Sequence, residues 1–286
     1  MTTLTAQNIH KTYTLRSGLR FSKLQAVRDV SFELTAGRTV ALVGQSGSGK
    51  STIAKLLMQL EHPTSGRLLL DGKPIGRRGA ALAAYRDDVQ MVFQDPFASL
   101  NPFHSIGHHL RRPLLLHGRA TAKDVDAKAA ELLERVNLSP AASFLERRPH
   151  ELSGGQRQRV AIARALAPGP KVLVADEPVS MLDVSVRLGV LNLLARLQRE
   201  EQLAMLYITH DLATARHFSD EILVMYKGEV VERGAADDVI LNPQAEFTRT
   251  LLKAAPEPGT NPRFLAEARR RGVPMPDHLA HREDLS

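Results

Sequence analysis

Thr39-Val40-Ala41-Leu42-Val43 runs straight into Gly44-Gln45-Ser46-Gly47-Ser48-Gly49-Lys50-Ser51, and Thr52-Ile53-Ala54-Lys55-Leu56-Leu57 follows. A short aliphatic run, a glycine-rich turn and a helical pattern succeed one another without a break. This order fits GxxxxGK[ST] between a strand and a helix. Glycines let the backbone wrap closely round phosphate oxygens, and the start of the helix offers them unpaired N–H groups. In that reading Lys50 reaches the β- and γ-phosphates of a nucleotide, and the Ser51 hydroxyl meets a magnesium ion. The plain alternative is a flexible Gly/Ser turn, and the strand–helix frame argues against it.

Outward from this stretch, short β-branched or aliphatic runs alternate with longer helical patterns, which predicts an α/β fold with a largely parallel sheet. Strands are expected at 27–34, 39–43, 67–70, 89–93, 171–175, 204–209 and 221–226. Helices are expected at 50–60, 156–166 and 184–200. Between Phe97 and Leu152 the strand signal disappears, and Val125, Ala129, Leu132, Leu133 and Val136 recur at helical spacing. The chain therefore divides into residues 1–94 and 153–235 as an α/β core, 95–152 as a helical subdomain and 236–255 as C-terminal helices. Residues 256–286, with five prolines and evenly balanced charge, form an irregular tail.

The 286 residues are 43% hydrophobic, 24% charged and 5% aromatic, a globular mix that excludes wholesale disorder and rod-like folds. No apolar run approaches the roughly 20 residues of a membrane span. The absence of cysteine excludes disulfides, thiolate metal sites and a cysteine nucleophile. A net charge of +7 invites a nucleic-acid reading, but eight basic and two acidic residues fall within 1–60, around the phosphate loop. The histidines at 104, 108, 109, 117 and 150 lack metal-ligand spacing with a carboxylate partner and read as solvated or capping groups.

Val172-Leu173-Val174-Ala175 is a buried-strand pattern ending in Asp176 and Glu177. The first acid suits Mg²⁺, and the second can polarise an attacking water. Leu152-Ser153-Gly154-Gly155-Gln156 stands directly before another helical pattern. Its serine and glycine amides make a second anion site at a helix start, although a serine cap with a glycine turn reads the same way alone. One nucleotide does not readily need two such helix ends from one chain, so two chains facing each other make better sense of the pair.

These three motifs together resemble the nucleotide-binding subunits of ATP-binding-cassette (ABC) transporters over residues 1–235. The resemblance implies a P-loop NTPase cassette with a RecA-like core, an antiparallel β subdomain and a helical subdomain. It implies ATP and Mg²⁺ as ligands, with Ser51, Gln94 and Asp176 toward the metal. Gln94 matches the family's Q-loop glutamine, Asp183 its D-loop aspartate and His210 its switch histidine. Glu177 matches the catalytic base, assisted by His210, Gln94 and Lys50. Tyr13 matches the aromatic that stacks on adenine, with an ordinary strand-end tyrosine as the alternative, and Thr52 lies where the α-phosphate is met. Gly44 to Thr52 would hold one face of the nucleotide, and Ser153, Gly154, Gly155 and Gln156 of a second cassette the other.

MVFQDPFASLNP and PHELSGGQRQRVAIARAL narrow the resemblance to the ATPases of oligopeptide, dipeptide and nickel importers, nearer the second of their two ATPase types. Phe103 and Ala245-Glu246-Phe247 depart from the usual sequences there, which weakens any assignment of the solute. The implied partners are two membrane permease subunits, a second ATPase subunit (non-identical or identical) and, indirectly, a solute-binding protein, with no nucleic acid. The implied location is peripheral, on the cytoplasmic face of the cell membrane. Rivals are an oligosaccharide or metal-chelate transporter ATPase, and a soluble ABC protein acting on ribosomes or DNA. The last usually carries two cassettes or a long insertion, neither of which occurs here.

Overall fold

The structure, a computed structural model, describes residues 1–17 and 20–254. The tail expected over 256–286 and the last residue of segment 236–255 lie outside the described residues.

Among the described residues ten strands form two sheets. The strands are β1 Thr3–Ser17, β2 Arg20–Thr35, β3 Thr39–Val43, β4 Ser65–Leu70, β5 Lys73–Pro74, β6 Val89–Val92, β7 Val172–Asp176, β8 Ala204–Thr209, β9 Glu221–Tyr226 and β10 Glu229–Ala235. The six-stranded sheet has the order β10-β9-β3-β8-β7-β6 and is parallel except for β10. The other is antiparallel, in the order β2-β1-β4-β5.

The central parallel strands are buried on both faces, so their sequences are mostly apolar and successive residues feed two different cores. Ala41, Val43, Leu173, Ala175, Met205 and Tyr207 face one core, which they share with Leu110, Leu132 and Leu133 from the helical region. Val40, Leu42, Val172, Val174, Leu206 and Ile208 face the other, where the helix Lys50–Leu57 and the antiparallel strands pack. Two-sided burial fixes the register, because a one-residue slip would exchange the two sets. It holds β3 and its neighbours rigid, and the functional loops leave from their C-terminal ends.

Ala204–Thr209 and Glu221–Tyr226 have the expected bounds, and so does the helix Val184–Glu200. The expected apolar positions of the helical region are buried, within the helix Val125–Arg135 and the turn after it. The structure differs at several places. The first long strand escapes the sequence reading because Asn8 adopts a positive φ of 47° and shifts the register, so Leu4, Ala6 and Ile9 lose strict alternation. The second strand extends well before residue 27, and β10 alternates as a half-exposed edge. The helix expected over 50–60 ends at Leu57, and Gly79–Asp88 is an unexpected helix whose only buried residue is Tyr85.

Candidate functional site

The loop after β3 closes on itself around Lys50. Its buried ammonium donates to the carbonyls of Gly44 at 2.7 Å and Gln45 at 3.0 Å. Burial lowers the Lys50 pKa, while the carboxylates of Glu177 and Asp176 act the other way. Gly49 is required: its φ is 114°, and a Cβ there would lie 2.4 Å from the Ala26 carbonyl oxygen. The β9–β10 turn braces the loop from behind, with Gly228 N–H donating to the Ser48 carbonyl at 2.9 Å. The Ser48 hydroxyl is buried without a hydrogen-bond partner, a polar atom turned into a loop whose residues Gln45, Ser46 and Gly47 stand open to solvent. Ser51 is exposed and Thr52 half-buried in the first turn of the helix.

Asp176 ends β7, and burial, reinforced by Glu177 and opposed by Lys50, pushes its carboxyl up to about 6. Glu177 follows with a positive φ of 43°, held there by its N–H donating to the Ile208 carbonyl at 2.9 Å. Both its carboxylate oxygens are engaged. Oε1 lies 3.2 Å from His210 Nδ1, and Oε2 accepts from Gln94 Nε2 at 3.0 Å. Gln94 leaves the end of β6 and His210 the end of β8, so three loops from adjacent strands converge on one acid. The residues expected to meet a cation, Ser51, Gln94 and Asp176, carry a hydroxyl, an amide and a carboxylate. These are hard oxygen donors of the kind Mg²⁺ takes.

Tyr13 is half-buried near the end of β1, and its hydroxyl donates to Glu61 Oε2 at 2.6 Å. The sequence reading gives no role to Glu61, because a single acid after a helix belongs to no motif.

Ser153 opens the helix Gly154–Leu166 with a capping box: its Oγ accepts from Gln156 N–H at 3.3 Å, and its own N–H donates to Gln156 Oε1 at 3.0 Å. Gly155 packs so closely on Val186 that a Cβ would lie 2.4 Å from a valine methyl. Asp183 is exposed at the start of the helix Val184–Glu200 and makes no side-chain capping bond. The helix Gly154–Leu166, termed the signature helix after the Leu152–Gln156 stretch that opens it, packs on the helical region and on Val184–Glu200, whereas Lys50–Leu57 packs on β2 and β7. The structure thus gathers Lys50, Asp176, Glu177, Gln94 and His210 in one place. Ser153 and its neighbours present a separate helix end on another part of the surface.

A family model described as "ABC transporter" matches residues 27–180. A di/tripeptide transport ATP-binding protein, DppF, of Pseudomonas aeruginosa is 46% identical over 258 residues, covering 89% of this chain and 79% of its own length. A glutathione import ATP-binding protein, GsiA, of Pectobacterium atrosepticum is 46% identical over 257 residues, and there the chain spans only 41% of the relative. Among solved structures, a dimeric ATP-binding cassette in a post-hydrolysis state with ADP and Pi superposes with a TM-score of 0.71. It is 31% identical and covers 82% of this chain and 98% of its own.

Proposed function

This chain belongs to the ABC transporter family, and from that premise we propose how its residues perform the work of the group. It is the ATP-binding, ATP-hydrolysing subunit of a peptide-type ABC importer. Among the described residues no helix is long and apolar enough to cross a membrane. The chain's likeness to importer ATP-binding proteins supports transport through separate permease subunits. The subunit sits against those permeases on the cytoplasmic side and pairs with a second cassette, identical or not. In this reading residues 1–94 and 153–235 bind nucleotide, and 95–152 face the membrane subunits.

The observation that carries the mechanism is the convergence of Gln94 and His210 on the two oxygens of Glu177, beside the Lys50 loop. ATP lays its phosphates into Gly44–Thr52, and Lys50 exchanges two carbonyls for β- and γ-phosphate oxygens. Ser51, Gln94 and Asp176 would hold Mg²⁺, which would supply charge neutralisation on those oxygens. His210 turns from Glu177 toward the γ-phosphate, and Gln94 would release its carboxylate oxygen when its own side chain is needed for Mg²⁺. The freed carboxylate then orients the attacking water and takes its proton. Tyr13 stacks on the base. Ser153, Gly154, Gly155 and Gln156 of the facing cassette, with its Asp183, close the other side of the nucleotide. Positioning and charge neutralisation thus supply most of the barrier reduction.

The test is vesicle reconstitution with the permeases and second ATPase that copurify with this chain. Dipeptide uptake that requires external ATP and stops on Lys50→Ala supports the reading. ATP turnover with no solute movement for dipeptides, glutathione or oligopeptides contradicts the importer assignment.

A further inference from the structure

Glu61 lies four residues beyond the phosphate-loop helix and belongs to none of the motifs above. Its carboxylate is one-quarter exposed and collects three partners. Oε2 accepts from the Tyr13 hydroxyl at 2.6 Å and lies 3.0 Å from Lys11 Nζ, while Lys55 Nζ stands 3.8 Å from Oε1. Lys11 in turn donates to the His62 carbonyl at 2.9 Å, and its ammonium sits 5.0 Å from the centroid of the Tyr13 ring. Thr52, two residues after Lys50, lies beside the same phenol and acts to lower its pKa against burial and Glu61.

This loop is tied down at both ends. Glu61 N–H donates to the Lys55 carbonyl, in the helix that starts at Lys50. Thr64 N–H donates to the His10 carbonyl at 2.8 Å, and Thr12 N–H donates to the Thr64 hydroxyl at 3.0 Å. One carboxylate therefore joins the strand carrying the aromatic to the helix that carries the phosphate loop. Lys11 covers one face of the ring, so a flat base has the opposite face. The spacing from that face to the phosphate loop depends on the hydroxyl staying on Glu61.

We propose that Glu61 is a positioning residue for the nucleobase of the triphosphate, fixing the plane and distance of Tyr13 relative to the phosphate loop through its hydrogen bond to the phenol. This rests on the reading of Tyr13 as the base-stacking aromatic. Burial, and then Glu61 itself, keep the phenol protonated and so keep it a donor. The Tyr13 bond is in turn the main cause that holds Glu61 ionised below its ordinary range.

The experiment is a double-mutant cycle on the full chain with Tyr13→Phe and Glu61→Ala, reading two affinities: that for Mg·ATP and that for magnesium tripolyphosphate, which has no base. Each single variant should weaken ATP about three- to tenfold, a part of the cost of losing a stacked base. The double variant should weaken it no further, because both remove the same bond. Tripolyphosphate affinity should hold or rise, since Glu61→Ala removes a negative charge beside Lys11 and Lys55. Glu61→Gln keeps an acceptor for the hydroxyl and should recover most of the loss. Thermal melts confirm folding of each variant. Multiplicative losses in the double variant, or equal loss of ATP and tripolyphosphate, overturn the proposal. Tyr13→Ala distinguishes its failure from that of the stacking reading: if Tyr13→Ala leaves the ATP-to-tripolyphosphate ratio unchanged, stacking itself is wrong. If that ratio falls in Tyr13→Ala but not in Glu61→Ala, the positioning role alone is overturned.

Discussion

His210 Nδ1 lies 3.2 Å from Glu177 Oε1, and because Gln94 holds the other carboxylate oxygen, neither oxygen of the proposed base is free of a protein partner. A base so engaged is poorly placed to accept a proton from water. His210 is 60% exposed against 17% for Glu177, so the histidine is the member able to swing toward an arriving γ-phosphate. His210→Ala should retain ATP affinity within about threefold while hydrolysis falls roughly 10²-fold or more, within the range for a positioned proton-handling group. Steady-state turnover beside equilibrium ATP binding makes the distinction. Unchanged turnover would mean that the contact is structural only.

Lys50 should behave differently, since its ammonium neutralises phosphate in the ground state as well. Lys50→Ala deletes the donor to the Gly44 and Gln45 carbonyls and should weaken ATP binding at least tenfold, about 1.4 kcal/mol. Isothermal titration with Mg·ATP checks this.

Asp176 gives a pH dependence with a definite sign. Its folded pKa, about 6, lies above the ordinary 3.8, so the folded chain binds more protons than the unfolded chain between those values. Its contribution to stability is therefore fully present below pH 4 and is lost as pH rises through 6. In magnesium-free buffer, Asp176→Asn should flatten the fall in melting temperature between pH 4 and 7. Mg²⁺-dependent ATP binding to the unmodified chain should weaken below pH 6, where the proton competes. Identical melting profiles for the two proteins would contradict this.

Arg157 joins the signature helix to the proposed membrane-facing surface. Its guanidinium carbon lies 4.2 Å from the centroid of the half-exposed Phe97 ring, and Arg164 from the same helix donates to the Ser99 carbonyl at 2.5 Å. An exposed cation–π contact is worth only about 0.5–1 kcal/mol, so Phe97→Ala should leave ATP affinity nearly intact. Transport per ATP hydrolysed should drop severalfold in reconstituted vesicles. Equal loss of ATP affinity and transport would count against a coupling role.

How far the sequence speaks depends on burial and on pattern. Strands buried on both faces, such as β8 and β9, read with correct ends because their central residues are uniformly apolar. The long first strand stays hidden, since the shift at Asn8 breaks its period and its outer face is polar. The site motifs are legible because phosphate chemistry demands fixed residue types at fixed short spacings: Lys50 after glycines, Asp176 and Glu177 at a strand end. Glu61 is not, because its function arises from a carboxylate meeting Tyr13 across 48 positions. Nor does any local pattern announce the Arg157–Phe97 contact, which needs the helical region folded against the signature helix.

The facing-cassette arrangement is tested at Ser153, whose exposed hydroxyl caps its own helix. Ser153→Arg should leave ATP binding to this chain's own phosphate loop unchanged, yet block ATP-dependent pairing with a second cassette by filling the anion site. Size-exclusion chromatography with ATP distinguishes the outcomes, and pairing that survives the substitution would move the signature out of the interface.

The most direct measurement is single-site ATP turnover in the reconstituted pair, with Glu177→Gln placed in the site that contains this chain's phosphate loop. Gln preserves size and most hydrogen bonding while removing the basic carboxylate. The account predicts unchanged ATP binding, hydrolysis reduced roughly 10²–10⁴-fold and two cassettes held together by unhydrolysed ATP. Hydrolysis at the unmodified rate in that site would contradict the assignment of Glu177 as the base.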